Sequence, residues 1–479
     1  MITLQPLKDR NISMSIQYQQ YPELSIEQRN RLFSHYADRV GAFLFDSGKG
    51  HSDLECESAD ENARYDIIAV EPIDIITGKN EDIDNPLQYF KEQLQNISQD
   101  TIPEELKYLP CIGGLFYALS YELGKYYEKL SSMAVDDLQL ADYFAGIYGS
   151  IIIIDRIKHC SFVICSDERQ LSLYQELKMR MIEVLSKNKT SEQSINLESF
   201  NLESFSLESK WLANFTEAEY ATAFNRVKEY IQAGDCYQVN LAQRFMASCS
   251  GNSWAAYLKL SVANQAPFSA FINTGEADIL SLSPERFIKL QDKFVETKPI
   301  KGTRPRGLTP ELDKQLEDEL VNSKKDQAEN LMIVDLMRND LGRSCSPGSI
   351  KVPELFKLES FHSVHHLVST IQGQLDESED AFSLMAHCFP GGSITGTPKI
   401  RAMNIIDELE PHRRSYYCGS LGYIDKRGYM DSNISIRTLV RKDDKLYCWA
   451  GGGLVSESQQ AAEYQETFDK VSRILPILE

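Results

Sequence analysis

The longest apolar runs in this chain are only as long as a strand. Ile151 to Ile154, with its neighbours, is the extreme case, far short of the roughly 20 residues a membrane-spanning helix needs. Val40–Gly48 and Arg64–Pro72 read as two more buried strands, and Tyr148–Cys165 reads as a hairpin turning at Asp155–His159. The pair Gly113-Gly114 introduces a segment to Gly124 that reads as an aromatic-rich helix. Glu217–Ala233 carries Tyr220, Phe224, Val227 and Ile231 on one helical face and stops at Gly234. Short strands interleaved with amphipathic helices predict a soluble globular protein mixing both, with 479 residues enough for two or three domains.

Charge narrows the partners. With 70 Asp+Glu against 50 Lys+Arg, a net charge of −20 disfavours nucleic acid and anionic membranes. The ten cysteines are scattered from Cys56 to Cys448 without a Cys-x-x-Cys pair, and the N-terminus lacks a signal peptide's apolar core. Reduced, buried cysteines of a cytoplasmic protein are expected. Leu197-Glu-Ser-Phe200, Leu202-Glu-Ser-Phe205 and Leu207-Glu-Ser209 repeat every five residues, a period that fits neither helix nor strand. The expected organisation is therefore an N-terminal region 1–187, a low-complexity surface linker 188–211 and a C-terminal region 212–479.

Against the acidic background, Lys298, Lys301, Arg304 and Arg306 cluster within Glu296–Gly307, among Pro299, Gly302, Pro305 and Gly307. An alternating strand, Ala277–Leu290, precedes this stretch, and a helix over 311–324 follows it. It reads as a turn-rich connection suited to a small anionic substrate. Lys301 serves either as a nucleophile, its pKa depressed by burial or by cations such as Arg304 and Arg306, or as a point charge for an anion. Glu285, at a strand end, is a candidate general acid. Asp326 and Glu329 share one helix face, and Glu463 and Glu466 share another. If the faces meet, these oxygen-only groups suit Mg²⁺; solvated helix faces fit the spacing equally. Gly-rich turns at Gly391–Pro398 and Gly451–Gly453 allow close backbone approach to an anion, but neither is a P-loop. His362, His365 and His366 cluster near a strand start, and Arg437 lies in a strand expected to span 430–440.

Taken together, certain of these stretches resemble the chorismate-utilising enzymes, the anthranilate synthase component I family. They are Ser283-Pro-Glu-Arg-Phe287, Lys298-Pro-Ile-Lys-Gly-Thr-Arg-Pro-Arg306, Glu329–Asp340, His366-Leu-Val-Ser369, Gly391–Lys399, and Ala450-Gly-Gly-Gly453 with Glu463-Tyr-Gln-Glu-Thr467. The resemblance runs in the family's order across 217–473 and is weaker in the first half. It implies an α+β fold of two stacked antiparallel β-sheets flanked by helices. It also implies Mg²⁺ on Glu329 and Glu466, supported through water by Asp326 and Glu463. Tyr417, Arg437 and the backbone near Gly452 would hold the enolpyruvyl carboxylate, and Ser393 would sit by the ring carboxylate. Glu285 would be the general acid–base. Lys470, at the end of the similar stretch Tyr464–Lys470, and His366 are also expected to bind the substrate, the latter without the elimination role it has in ortho-aminating members.

Two positions discriminate among members. Gln238 stands where water-using members carry a lysine base, and Lys301 stands where ortho-aminating members have alanine. The first argues against isochorismate or salicylate synthesis; the second implies amination of chorismate at C4, through a covalent Lys301 adduct, to 4-amino-4-deoxychorismate for folate synthesis. Thr397, where alanine is usual, is a small departure. The chain has no Cys nucleophile with a downstream His-x-Glu, so a separate glutamine amidotransferase is the implied ammonia source. The alternatives are ortho amination and a non-catalytic chorismate-binding subunit. A tryptophan pocket of the family kind is expected around Ser47, Arg64, Tyr65, Asp66, Pro267 and Phe268.

Overall fold

The computed structural model describes residues 15–48, 62–97, 101–128, 130, 132–187, 203–360 and 364–479. Cys56, His362 and residues 188–202 of the expected linker lie outside them. Two large sheets dominate, and every strand ladder among the described residues is antiparallel. In the first sheet the edge strand is Gln17–Pro22. It is followed by Cys160–Cys165, Ser150–Asp155, Tyr65–Ala69, Ala42–Asp46, Phe268–Asn273, Asp278–Ser283, Thr438–Lys442, Lys445–Leu454 and Gln238–Ser250. The second sheet runs from Ile300–Pro305 through Val364–Gln374, Phe294–Thr297, Arg286–Gln291, Met430–Asn433, Ser420–Asp425, Gly114–Leu119 and Tyr143–Tyr148 to Asp74–Gly78. Both sheets draw strands from both halves of the chain.

The apolar runs follow from this stacking. Along Ser150–Asp155, Ile151 and Ile153 enter the core between the sheets, while Ile152 and Ile154 enter the core beneath the helices of the first sheet. A strand buried on both faces loses its alternation and reads as a continuous run. Phe43 and Phe45 face the other sheet, with ring centroids 6.0 and 5.9 Å from Phe116.

Four local expectations are corrected. Gly114–Leu119 is a strand, not a helix; it is buried on both faces between Tyr143–Tyr148 and Ser420–Asp425, where periodicity cannot separate the two states. Ile300–Pro305 is likewise a strand, paired to Val364–Gln374 through a bulge between Ile300 and Thr303. Gly302 supplies the positive φ of +78° there. In the described part of the linker, Phe205 is buried and Ser206–Leu207 pairs with Cys249–Ser250, because an apolar side chain there has a core to enter. The strands expected over 277–290 and 430–440 are each two strands, one in each sheet. The chain crosses between sheets at Pro284-Glu285 and at Ile434–Arg437. Other expectations hold. Thr216 and Glu219 form a capping box on Glu217–Ala233, and Gly234 ends that helix at φ +81°. The nine described cysteines are free and buried. Among the described residues, no helix is long and apolar enough to cross a membrane.

Candidate active site

The two crossings define the site, and they are stitched together. The Ser283 hydroxyl donates to the Ile434 carbonyl (2.6 Å), Ile434 N–H donates to the Glu285 carbonyl (3.1 Å), and Leu282 N–H donates to the Arg437 carbonyl (3.0 Å). Glu285 is thus fixed on one crossing and Arg437 on the other. Arg437 adopts φ +51°, costly for a non-glycine residue and typical of a functional constraint.

Lys301 reaches this centre from its bulged strand, and its Nζ donates to the Ser393 carbonyl at 3.0 Å. The residue as a whole is half-buried but the amine is enclosed, and desolvation lowers its pKa. The cation that adds to this lowering is Lys470; Glu285, Glu329 and Glu466 oppose it. Arg304 and Arg306, expected to act here, are committed elsewhere. Arg304 pairs with Glu319 (2.9 Å) and Asp326 (3.1 Å), and Arg306 pairs with Asp313 (2.7 Å). The bulge turns alternate side chains of one short segment toward different neighbours, so proximity in sequence misleads.

Burial pushes the Glu285 carboxyl up, against the pull of Lys301. Burial thus works against the charged form of both groups, while their mutual attraction opposes it. Glu285 Oε1, Ser393 Oγ and both amide atoms of Gln238 are buried without hydrogen-bond partners among the described residues. Such atoms are costly to leave unpaired, and at this centre they offer hydrogen-bonding groups to a polar ligand. His366 is neutral, held to a pKa of about 3 by burial and the Arg437 charge, with Nδ1 2.9 Å from Thr303 Oγ1. Arg437 itself has an enclosed, desolvated guanidinium and no ion-pair partner among the described residues. Tyr417 is buried and stacks on Trp449 at 6.1 Å and 7°.

The four carboxylates come from two helices, Lys324–Gly342 and Gln460–Val471. Burial raises Glu329 and Glu463, and the negative charges of Asp326 and Glu463 on Glu329, and of Glu466 on Glu463, add to this. Glu466 is lowered by Lys470, whose Nζ lies 2.7 Å from both Glu466 Oε1 and the Gly451 carbonyl. Gly452 runs so close that a Cβ there would meet Glu463 Oε2 at 3.2 Å and Glu466 Oε1 at 3.4 Å. Lys325 spans the two faces, 3.7 Å from Glu329 and 3.8 Å from Glu463, and oxygen-only carboxylates of this kind suit a hard divalent cation, but no three of their oxygens gather within 4.8 Å of one another. Among the described residues only Asp313, Glu317 and His365 place three ligand atoms within 4.8 Å of one another. Asp313 is neutralised there by Arg306 and His365 is bonded to Ser360 and Asp313, so this trio is a structural anchor. Sequence reading missed Lys325, 3.7 Å from Glu329 and 3.8 Å from Glu463; the signal was its place four residues before Glu329.

A cavity of about 260 Å³ lies between the sheets, lined by Phe45, Arg64, Tyr65, Pro267, Phe268 and Tyr423 among others. Ser47 and Asp66 belong instead to the ion network behind it: the Ser47 hydroxyl donates to Asp66 Oδ1 at 2.6 Å.

This arrangement has a known setting. Residues 43–476 match the chorismate binding enzyme family, and the chain belongs to that family. It is 46% identical over 429 residues to aminodeoxychorismate synthase component 1 of Escherichia coli, covering 87% of this chain and 90% of that one. It is 34% identical to anthranilate synthase component 1 of Aquifex aeolicus, covering 82% and 79%. Among solved structures, anthranilate synthase component I of Streptococcus pneumoniae superposes with a TM-score of 0.74 at 30% identity, over 89% of this chain and 95% of that one.

Proposed function

We propose that this chain converts chorismate and ammonia to 4-amino-4-deoxychorismate, in the cytoplasm, with ammonia delivered by a separate glutamine amidotransferase. The observation that carries the reading is the enclosed Lys301 amine beside the raised Glu285 carboxyl. The 46% identity to a protein named for this reaction supports it, and the "component 1" of that name supports a partner.

Chorismate would lie with its enolpyruvyl carboxylate on Arg437 and Tyr417 and its ring carboxylate near Ser393. Glu329 and Glu466, with Asp326 and Glu463 behind them, would hold Mg²⁺, whose charge would help bind the ring carboxylate and make the C4 hydroxyl a better leaving group. The neutral Lys301 amine attacks C2, both ring double bonds shift (to C1=C6 and C4=C5) and the C4–O bond breaks. Glu285 gives its proton to the departing oxygen, which leaves as water. Ammonia then forms a bond to C4, the double bonds return and the C2–N bond breaks, restoring Lys301; the surplus ammonium proton returns to Glu285. Burial favours the neutral form of both groups, which is the pair this sequence needs. The cavity walled by Phe45, Tyr65, Phe268 and Tyr423 we assign to tryptophan, on its size and aromatic walls.

The test is a product assay with chorismate, Mg²⁺ and an ammonium salt at alkaline pH, resolved by chromatography and mass. A C4-amino product that keeps its enolpyruvyl group is expected. Fluorescent anthranilate with released pyruvate would overturn the assignment.

Arg437→Met gives a second check. Losing a charge-assisted contact to a carboxylate should lower kcat/KM for chorismate about 10- to 100-fold. Because the guanidinium has no described ion-pair partner, the midpoint of urea unfolding should stay the same or rise. A variant with wild-type kcat/KM would remove Arg437 from the substrate site.

A further inference from the structure

Three lysines serve the carboxylates of this site, and they differ in how firmly they are held. Lys301 is enclosed and hydrogen-bonded to the Ser393 carbonyl. Lys470 is hydrogen-bonded to the Gly451 carbonyl and paired with Glu466. Lys325 is half-exposed and lies 3.7 Å from Glu329 on its own helix and 3.8 Å from Glu463 on the facing one. Those separations are Coulombic contacts beyond hydrogen-bond length.

We propose that Lys325 is the removable counter-ion of this carboxylate group: it bridges the two helices until a divalent cation displaces it into solvent. The inference rests on the proposed assignment of Glu329 and Glu466 as metal ligands. The physical logic is competition. Carboxylates gathered from two helices repel one another and need a cation to remain together. A lysine bonded as closely as Lys470 would have to break hydrogen bonds to yield. One at Coulombic distance, on a flexible and partly solvated stem, retreats at little cost. Its neighbour Lys324 carries the same charge on the same helix end, is exposed, and has no ion-pair partner among the described residues. It therefore separates a local contact from the general field.

The experiment measures Mn²⁺ binding to the full chain without chorismate, by the electron paramagnetic resonance signal of free Mn²⁺, in wild type and in Lys325→Gln, Lys325→Arg and Lys324→Gln. Removing the competing charge should tighten Mn²⁺ binding about three- to tenfold at low salt, with the gap narrowing as ionic strength rises. Lys325→Arg and Lys324→Gln should bind much as wild type does. Unchanged or weaker binding in Lys325→Gln would overturn the counter-ion role and make Lys325 a fixed clamp between helices. Equal tightening in Lys324→Gln would overturn it in favour of a field effect. Mn²⁺ binding to none of the proteins would overturn the metal assignment, and this inference with it.

Discussion

Lys301→Ala is expected to lower formation of the C4-amino product by at least about 10³-fold while leaving the fold intact. The structural cost is small, because among the described residues the amine makes one hydrogen bond, to the Ser393 carbonyl. The chemical cost is the nucleophile. A purely electrostatic role predicts something different: Lys301→Arg keeps the positive charge near Glu285, Glu329 and Glu466, and would keep much of the activity. A nucleophilic role requires a neutral nitrogen, which arginine does not offer at accessible pH, so both variants should be inactive. Intact-protein mass after incubation with chorismate, ammonia withheld, should show an adduct of chorismate less one water in wild type and in neither variant. The pH dependence carries its own sign. Burial lowers the Lys301 pKa, so the neutral form grows in at a lower pH than for a free lysine near 10.4. At constant free ammonia the rate should rise and level off below that value. A Lys301→Arg variant with wild-type turnover would remove the nucleophile from the mechanism.

Lys301, Glu285 and the two carboxylate pairs could be named as candidates because their signals are local, while spacing alone left each of them a second reading. A lysine among turn residues, a glutamate after a proline, and acidic residues at i and i+3 all sit on short stretches of chain. The Glu217–Ala233 helix was legible for the same reason, with both of its ends written in cap residues. What brings the site together was not local. A chain that leaves one sheet and enters the other at Pro284-Glu285 keeps its apolar–polar alternation across the break, so 277–290 and 430–440 each read as one strand. Those breaks are where Glu285 and Arg437 sit. The cation acting on Lys301 comes from residue 470 of the last long helix rather than from Arg304 or Arg306 three and five residues away. No pattern within 296–307 encodes that contact. Gly114–Leu119 failed for a different reason, since a strand buried on both faces has no period to read.

The other large effect is expected at Arg29, well outside the chemistry. Arg29→Met should destabilise the chain by about 3–5 kcal/mol, read as a lower urea midpoint at unchanged slope. The Arg29 guanidinium is almost fully buried and bonds Asp46 at 2.7 and 3.0 Å and Asp66 at 2.9 Å. Arg156 meets Asp66 from the other side, with Nε at 3.1 Å, and the Tyr257 hydroxyl caps Asp46 at 3.2 Å. Two buried cations thus balance two buried anions behind the aromatic cavity. Removing one cation leaves Asp46 without a described ion-pair partner, and that desolvated charge is the source of the cost. Replacing both members, as in Arg29→Met with Asp46→Leu, should therefore be less damaging than the sum of the single changes. The acid limb gives the same answer by another route. The two guanidiniums hold the folded-state Asp66 carboxyl below its ordinary range despite its burial. Its contribution is present above the unfolded pKa near 3.9 and is lost as pH falls toward the depressed folded value. With Arg29 gone the depression shrinks, so less of this stabilisation remains to be lost in acid. The gap in stability between wild type and Arg29→Met should then be widest near neutral pH and narrow below pH ~4. A gap that stays constant down to pH ~2 would mean that Arg29 acts through packing, not charge.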